Sequence, residues 1–125
     1  MMVTYTADQC ACPLSSLVPA LQLLGDKYSL QIIALLLQAK YQRFIELEDQ
    51  INGISPRTLS SRLKQLEASG LINRVQYNTI PPKVEYSLTE KGQGLSAVLN
   101  SFAAWSAWAL TDDPKMAKET PLSLV

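Results

Sequence analysis

The segment from Gly53 to Ile72 has the pattern of a helix with both ends marked, and it constrains the fold more than any other part of the chain. Ser55 is a good N-cap because its side-chain oxygen can accept a hydrogen bond from a backbone N–H that lacks a helical partner. Pro56 follows at the first helical position, where its missing N–H costs nothing. Gly70 can adopt the left-handed C-cap conformation without a Cβ clash. The pattern predicts a helix that begins at Pro56 and stops at Gly70.

The two faces of this predicted helix differ in chemistry. Leu59, Leu63 and Leu66 follow the i, i+4, i+7 spacing of one buried stripe. The other face has side chains that can read DNA, because Arg, Lys, Gln and hydroxyl groups match base edges or phosphates. The candidates for base edges are Arg57, Thr58, Ser61 and Gln65, and those for phosphates are Arg62 and Lys64. An ordinary amphipathic surface helix would show the same pattern, so the segments that follow decide between the two.

A β-hairpin is predicted directly after this helix. Residues 73–77 and 84–88 have the alternation and composition of strands, and the Pro-rich stretch 78–83 reads as the turn between them. A helix pair followed by a hairpin is the order of a winged helix-turn-helix. Arg74 at the base of the wing and Lys83 at its tip are placed for phosphate contacts. The alternative is a hairpin that only covers the core.

Composition and charge are consistent with a small DNA-binding domain. The chain has 125 residues with 47% hydrophobic content, which predicts one compact domain over residues 13–110, an N-terminal arm over 1–12 and a flexible C-terminal tail over 111–125. The net charge is zero, but five basic residues stand against one acidic residue from Ser55 to Lys83. No stretch approaches the roughly 18 apolar residues of a membrane span, so a cytoplasmic protein without membrane contact is the default expectation.

The rest of the chain is predicted to be mostly helical, which gives a mainly α fold with a small β-hairpin (α+β). The predicted helices are Leu14–Leu24, Ser29–Gln38, Phe44–Ile51 and a long last helix capped by Thr89, from about Glu90 to Leu110. Pro19 either kinks the first helix or marks an earlier break. Residues 40–43 could include a short strand that pairs with the wing.

The last helix has a broad apolar and aromatic side, more than so small a core is expected to cover. A dimer interface is the expected use, since aromatic residues are enriched in such interfaces; packing within one monomer is the alternative. The dimerisation candidates on the first and last helices are Leu17, Leu21, Leu99, Phe102, Trp105 and Trp108.

The sequence offers little catalytic chemistry. There is no His and no Gly-rich phosphate loop, and Glu46, Glu48 and Asp49 spread around a helix, so neither an enzyme nor a cofactor is expected. Cys10 and Cys12 alone make a poor zinc site, which usually needs four ligands. The Cys12 thiolate, just before the first helix, could be stabilised by the helix N-terminus. The hypothesis is that Cys12 is a redox sensor and Cys10 a second thiol; two inert thiols are the alternative.

Together these segments resemble the HxlR-type transcriptional regulators, a branch of the MarR-like winged-helix proteins, from about Cys12 to Trp108. The segments that carry the resemblance include Gly25-Asp26-Lys27-Tyr28, Gly53-Ile54-Ser55-Pro56, Gly70-Leu71-Ile72-Asn73-Arg74 and Pro81-Pro82-Lys83-Val84-Glu85-Tyr86-Ser87-Leu88-Thr89. The family pattern usually has Trp where this chain has Tyr28.

The resemblance implies a sequence-specific transcription regulator that binds double-stranded DNA. It implies a homodimer, joined through the first and last helices, on a roughly palindromic operator, with recognition helices about 34–36 Å apart. Some proteins of this kind sense oxidants or electrophiles through the Cys at the position of Cys12. Two alternatives remain: a regulator that responds to a small molecule bound in the dimer interface, and a winged-helix module that contacts proteins.

Overall fold

The computed structural model describes residues 13–110, and the predicted arm with Cys10 and Cys12 and the predicted tail lie outside them. The described chain is mainly helical with a small antiparallel hairpin, which confirms the predicted fold class. In chain order the elements are α1 (Leu14–Leu24), α2 (Ser29–Gln38), α3 (Phe44–Gln50), α4 (Pro56–Ala68), β1 (Ile72–Tyr77), β2 (Lys83–Leu88), α5 (Glu90–Gln93) and α6 (Ser96–Ala109).

The core lies between α2, α3, α4 and the hairpin. Ile32 and Ile33 of α2, Leu47 of α3 and Leu59 of α4 are completely buried. The predicted leucine stripe of α4 is confirmed, since all three leucines face this core. Burial of an aliphatic side chain contributes about 1.5–3 kcal/mol, so this packing fixes which face of α4 points to solvent.

The hairpin forms the wing, in a register that pairs Ile72 with Leu88 at one end and Tyr77 with Lys83 at the other. Lys83 is therefore the first residue of β2, and the prediction that placed it in the loop is wrong. Prolines have no N–H to donate, so after Pro81 and Pro82 Lys83 is the first residue able to resume the ladder. The short strand predicted before α3 is confirmed as a bridge between Gln42 and Tyr86, with two backbone hydrogen bonds of 2.8 Å.

The C-terminal helix predicted as one piece is two, α5 and α6, separated at Gly94 and Leu95. The predicted Thr89 cap is confirmed, because its Oγ1 accepts a hydrogen bond from the Gly92 N–H at 3.0 Å. Gly92 packs directly against the Leu71 carbonyl, where a Cβ would clash with backbone. The break has two causes: this contact holds α5 against the hairpin, and each glycine weakens a helix by about 1 kcal/mol relative to Ala.

The first helix is continuous through Pro19, and none of its residues is buried in the single chain. Among residues 13–110 no single helix is long and apolar enough to cross a membrane, although α1 and α2, which meet at 81°, would pass that test as a bent pair.

Candidate nucleic-acid interface

Both ends of α4 are fixed by the groups that the sequence predicted. The Ser55 Oγ accepts a hydrogen bond from the Thr58 N–H at 3.1 Å. At the other end Gly70 has a φ of +79°. The Gly70 N–H donates to the Glu67 carbonyl and the Leu71 N–H to the Leu66 carbonyl, each at 3.0 Å. These two bonds form a Schellman motif, so α4 is a well-ended helix with a defined start and stop.

The exposed face of α4 carries the residues predicted to read bases. Arg57, Ser61 and Gln65 are exposed, and Thr58 is half-buried beside the cap. The Arg57 and Ser61 side chains make no hydrogen bond or ion pair with another described residue, and Lys64 is equally exposed. Because the side chains of Arg57, Ser61 and Lys64 are exposed and have no polar partner within residues 13–110, they are available to a ligand.

Arg62 differs from its neighbours on α4. Its Nη1 lies 3.7 Å from the Asp26 Oδ1, and both side chains are 27% exposed. Its guanidinium is thus directed towards the link between α1 and α2, away from the exposed centre of the helix face. The sequence singled out Asp26 only within a family motif and did not predict this contact.

The wing places two basic side chains in different surroundings. Arg74 is exposed, and its Nη2 donates a weak hydrogen bond of 3.3 Å to the Gln76 Oε1. The Lys83 Nζ lies 3.9 Å from the Glu85 Oε2 and 5.2 Å from the centre of the Tyr77 ring. The hydrogen bond with Glu85 and the negative charge of that carboxylate raise the pKa of Tyr77. Lys83 therefore has its charge partly balanced, whereas Arg74 does not.

A cleft of about 300 Å³ separates α4 from the wing. It brings together Lys64 of the helix and Arg74 of the strand, two of the predicted phosphate contacts. Ser60 and the largely buried Tyr86 add hydroxyl groups, of which only that of Tyr86 was not predicted from the sequence, and Glu67 adds one negative charge. Tyr86 pairs with Arg74 in the hairpin register and so shares its face of the sheet, but the turn predicted over residues 78–83 would have placed Tyr86 opposite Val75, on the other face, so the sequence did not predict this neighbour. The lining residues are Ser60, Leu63, Lys64, Glu67, Arg74 and Tyr86.

A second surface lies on α1 and α6, far from this cleft in sequence, and we call its exposed apolar residues the terminal-helix surface. It consists of Leu14, Leu17, Val18, Leu21, Val98, Phe102, Trp105 and Trp108. The Phe102 and Trp105 rings stack with centres 6.4 Å apart. Of the predicted dimerisation residues, only Leu99 is half-buried, where it packs against the core. An apolar groove of about 520 Å³ runs between α1 and α6.

The acidic residues of the described chain are spread out or engaged in local contacts. Among residues 13–110 no group of three or more Cys, Asp and Glu side chains could hold a metal ion. In the acidic stretch of α3, Glu46 is used structurally, since its Oε1 accepts a hydrogen bond from the Arg43 N–H at 2.8 Å. The cleft between α4 and the wing therefore remains the best candidate site.

The fold and this interface define a winged helix-turn-helix transcriptional regulator. The HxlR-like helix-turn-helix family matches residues 23–113, and the chain belongs to this family. It is 48% identical over 85 residues to the HTH-type transcriptional regulator BH0655 of Halalkalibacterium halodurans, a match that covers 68% of this chain and 75% of that one.

Solved structures of transcriptional regulators are similar to this fold. The reduced form of the transcriptional regulator YodB from Bacillus subtilis is 35% identical, with a TM-score of 0.69 over 83% of this chain and 99% of that one. YodB has also been solved quinone-bound, at 35% identity and a TM-score of 0.63 over 74% of this chain and 96% of that one. The reduced redox regulator HypR is 32% identical, with a TM-score of 0.69 over 73% of this chain and 89% of that one.

Proposed function

We propose that this transcriptional regulator is a homodimer that binds a palindromic DNA operator in a sequence-specific manner. The observation that carries the proposal is the accessible polar face of α4, bordered by the cleft that joins Lys64 to Arg74. An amphipathic helix that served only as cover for the core would not need two cations gathered at one cleft. Phosphate contacts from helix and wing would set the position of the protein on the duplex.

In this proposal the residues divide into two groups. Arg57, Thr58, Ser61 and Gln65 contact base edges in the major groove, where Arg matches guanine and Gln matches adenine. Lys64 and Arg74 contact phosphates from the two walls of the cleft. Lys83 is a weaker phosphate contact, because Glu85 lies 3.9 Å from its ammonium group.

The homodimer is supported by the terminal-helix surface. Eight large apolar side chains on α1 and α6 are exposed in the single chain, and an exposed apolar surface of this kind is typical of an interface. Two copies joined through these helices would place two α4 helices on the same side of one duplex. A spacing of about 34–36 Å between these helices would match successive major grooves. Because the two copies are related by two-fold symmetry, their two half-sites would form a palindrome.

The proposal is tested by selecting duplexes that bind the purified, reduced protein from a random-sequence pool. The affinity for the selected duplex and for random DNA is then measured by fluorescence anisotropy across a salt series. We expect a palindromic selected sequence and a preference over random DNA. We also expect log K to fall with log salt by about 0.9 per neutralised phosphate. The absence of any enriched sequence, with no salt dependence, would instead favour the protein-interaction module.

A matched pair of variants tests the cleft itself. Lys64→Gln removes a charge at the cleft, and Lys40→Gln removes a charge from an exposed lysine that lines a different cavity, beside Gln93 and Ser96. We expect Lys64→Gln to reduce the salt slope by about 0.9 and Lys40→Gln to leave it nearly unchanged. Equal effects would mean that overall charge, rather than the cleft, determines binding.

We also propose that oxidation or alkylation of Cys12 switches DNA binding. The support is its sequence position immediately before Pro13 and α1, together with relatives solved as a redox regulator and as a quinone-bound regulator. The test compares the wild type, Cys12→Ser and Cys10→Ser in the anisotropy assay before and after addition of diamide or a quinone. The proposal requires Cys12→Ser to abolish the response, and a response that survives this variant would contradict it.

A small-molecule effector is the second candidate for the signal, favoured by the apolar groove between α1 and α6. A ligand there would act without any cysteine. The same assay separates the two signals, because the double variant Cys10→Ser/Cys12→Ser would still respond to a groove ligand but not to an oxidant.

A further inference from the structure

The link between α1 and α2 contains a carboxylate that makes contacts in two directions. The Asp26 Oδ2 accepts hydrogen bonds from the backbone N–H groups of Tyr28 and Ser29, each at 3.0 Å. Its Oδ1 accepts a hydrogen bond from the Ser29 hydroxyl. On the other side the same Oδ1 faces the Arg62 guanidinium at 3.7 Å. Asp26 thus organises the start of α2 and also contacts the middle of α4.

A second contact joins this link to the helix-turn-helix. The Tyr28 hydroxyl donates a long hydrogen bond of 3.4 Å to the carbonyl of Gly53, in the turn that precedes α4. The residues from Asp26 to Tyr28 therefore touch α4 at its flank and the turn just before its start. Two contacts at separate points restrict rotation of a helix more than one contact does.

Arg62 is poorly placed to act as a free phosphate ligand. It lies on the flank of α4, next in sequence to the buried Leu63, and its side chain is 27% exposed. Partial burial raises the pKa of Asp26, but hydrogen bonds from Ser29 and Tyr28 and the charge of Arg62 lower it by more, so the net pKa lies below its ordinary value. The carboxylate is therefore ionised at neutral pH. To reach DNA, Arg62 would have to leave this partly desolvated anion.

We propose that Asp26 is a positioning residue for DNA recognition, which holds α4 in its reading orientation through Arg62. In this view the Arg62 side chain is the partner of Asp26 on α4 and is not one of the phosphate contacts. The inference rests on the proposed function, since it assigns a role within DNA recognition. It departs from the assignment that the sequence alone predicted for Arg62.

The experiment compares the wild type, Asp26→Asn, Arg62→Gln and the double variant on the selected operator and on random DNA. Asp26→Asn keeps one oxygen, which can still accept the backbone hydrogen bonds, and replaces the charged oxygen that faces Arg62 by an uncharged NH2 group. We expect each single variant to lose about two- to fivefold in operator affinity, the range that a partly exposed ion pair supports, with little change on random DNA. The double variant should lose no more than either single one, because the pair acts as a unit.

The opposite assignment predicts opposite results. If Arg62 contacts a phosphate, Arg62→Gln lowers the salt slope by about 0.9 on both DNAs, and Asp26→Asn raises affinity because it releases the arginine. Either result would overturn the inference. Equal loss on operator and random DNA would also overturn it, since that pattern indicates a reduced folded fraction rather than a changed orientation.

A matched control removes the same negative charge elsewhere. Asp49 is exposed on α3, and Asp49→Asn should change the affinity for both DNAs by the same factor. The wild-type measurement distinguishes failure of the proposed function from failure of the role proposed for Asp26. A wild type without operator preference refutes the proposed function, whereas a wild type with that preference and an unaffected Asp26→Asn refutes only the role of Asp26.

Discussion

The Ser55 hydroxyl makes two hydrogen bonds with Thr58: it accepts from the Thr58 backbone N–H at 3.1 Å and donates to the Thr58 Oγ1 at 3.0 Å. The residue that starts α4 therefore also orients one of the proposed base contacts. Because the Thr58 Oγ1 uses a lone pair in this contact, its own hydrogen remains available to a DNA acceptor. The cap and the proposed base contact therefore form one unit at the N-terminal end of α4.

Substitution of Ser55 by Ala should lower the free energy of unfolding by about 1 kcal/mol, the usual effect of losing an N-cap. Ser61→Ala is the matched control, because Ser61 is exposed in the interior of the same helix, where Ala is the better helix former. Urea denaturation of both variants checks the prediction. A Ser61→Ala variant as unstable as Ser55→Ala would show that the loss is not specific to the cap.

The stability of the fold should depend on pH through Asp26. Its pKa in the folded protein lies below the ordinary value of 3.8, so the ionised carboxylate stabilises the fold at neutral pH. This contribution is present above the unfolded pKa and is lost as the pH falls through the folded pKa. The free-energy difference between wild type and Asp26→Asn should be constant from about pH 7 to pH 5 and should shrink below about pH 4. A difference that does not vary with pH would contradict this account.

The features that were predicted correctly from the sequence are those set by residues close together in the chain. The ends of α4, its leucine stripe and the strands of the wing depend on residues close together in the chain, and the structure confirms them. The contact between Asp26 and Arg62 joins residues far apart in sequence, so no periodicity could reveal it. The break at Gly94 was missed for a similar reason. The apolar pattern continues through it, whereas the packing of Gly92 on Leu71 appears only once the hairpin is folded.

Gly92→Ala should destabilise the protein, because the new Cβ would clash with the Leu71 carbonyl and backbone cannot move as a side chain can. We expect a loss of about 1–3 kcal/mol, the range found when a tightly packed site is overfilled. Gly94→Ala is the control, since its nearest contact, the Lys91 carbonyl at 3.2 Å, is tight but not prohibitive. Equal stabilities of the two variants in denaturant titrations would refute the steric explanation.

Lys83 should contribute less to DNA binding than Lys64 does. Its ammonium group lies 3.9 Å from the Glu85 Oε2 and 5.2 Å from the centre of the Tyr77 ring, so contact with a phosphate would compete with these neighbours. Lys83→Ala should reduce the salt slope by clearly less than the value of about 0.9 expected for a full phosphate contact. Glu85→Gln should increase the affinity for all DNA by freeing Lys83. An effect of Lys83→Ala as large as that of Lys64→Ala would show that the lysine leaves Glu85 on binding.

Dimerisation should depend on Trp105, a half-exposed residue of the terminal-helix surface that stacks on Phe102. A glutamate there would place a charge in an apolar interface with no described cation in contact, and an unpaired buried charge is strongly unfavourable. We expect Trp105→Glu to shift the protein from dimer to monomer in sedimentation equilibrium.

Ile80 provides the control for this prediction. It is fully exposed at the tip of the wing, so Ile80→Glu adds the same charge at an exposed apolar site outside the terminal-helix surface, and the variant should remain dimeric. Trp105→Glu should also weaken operator binding more than binding to a half-site duplex, because a monomer gains nothing from the second half-site. A Trp105→Glu variant that stays dimeric would mean that the two copies associate through another surface. The exposed aromatic residues of α6 would then need a different explanation.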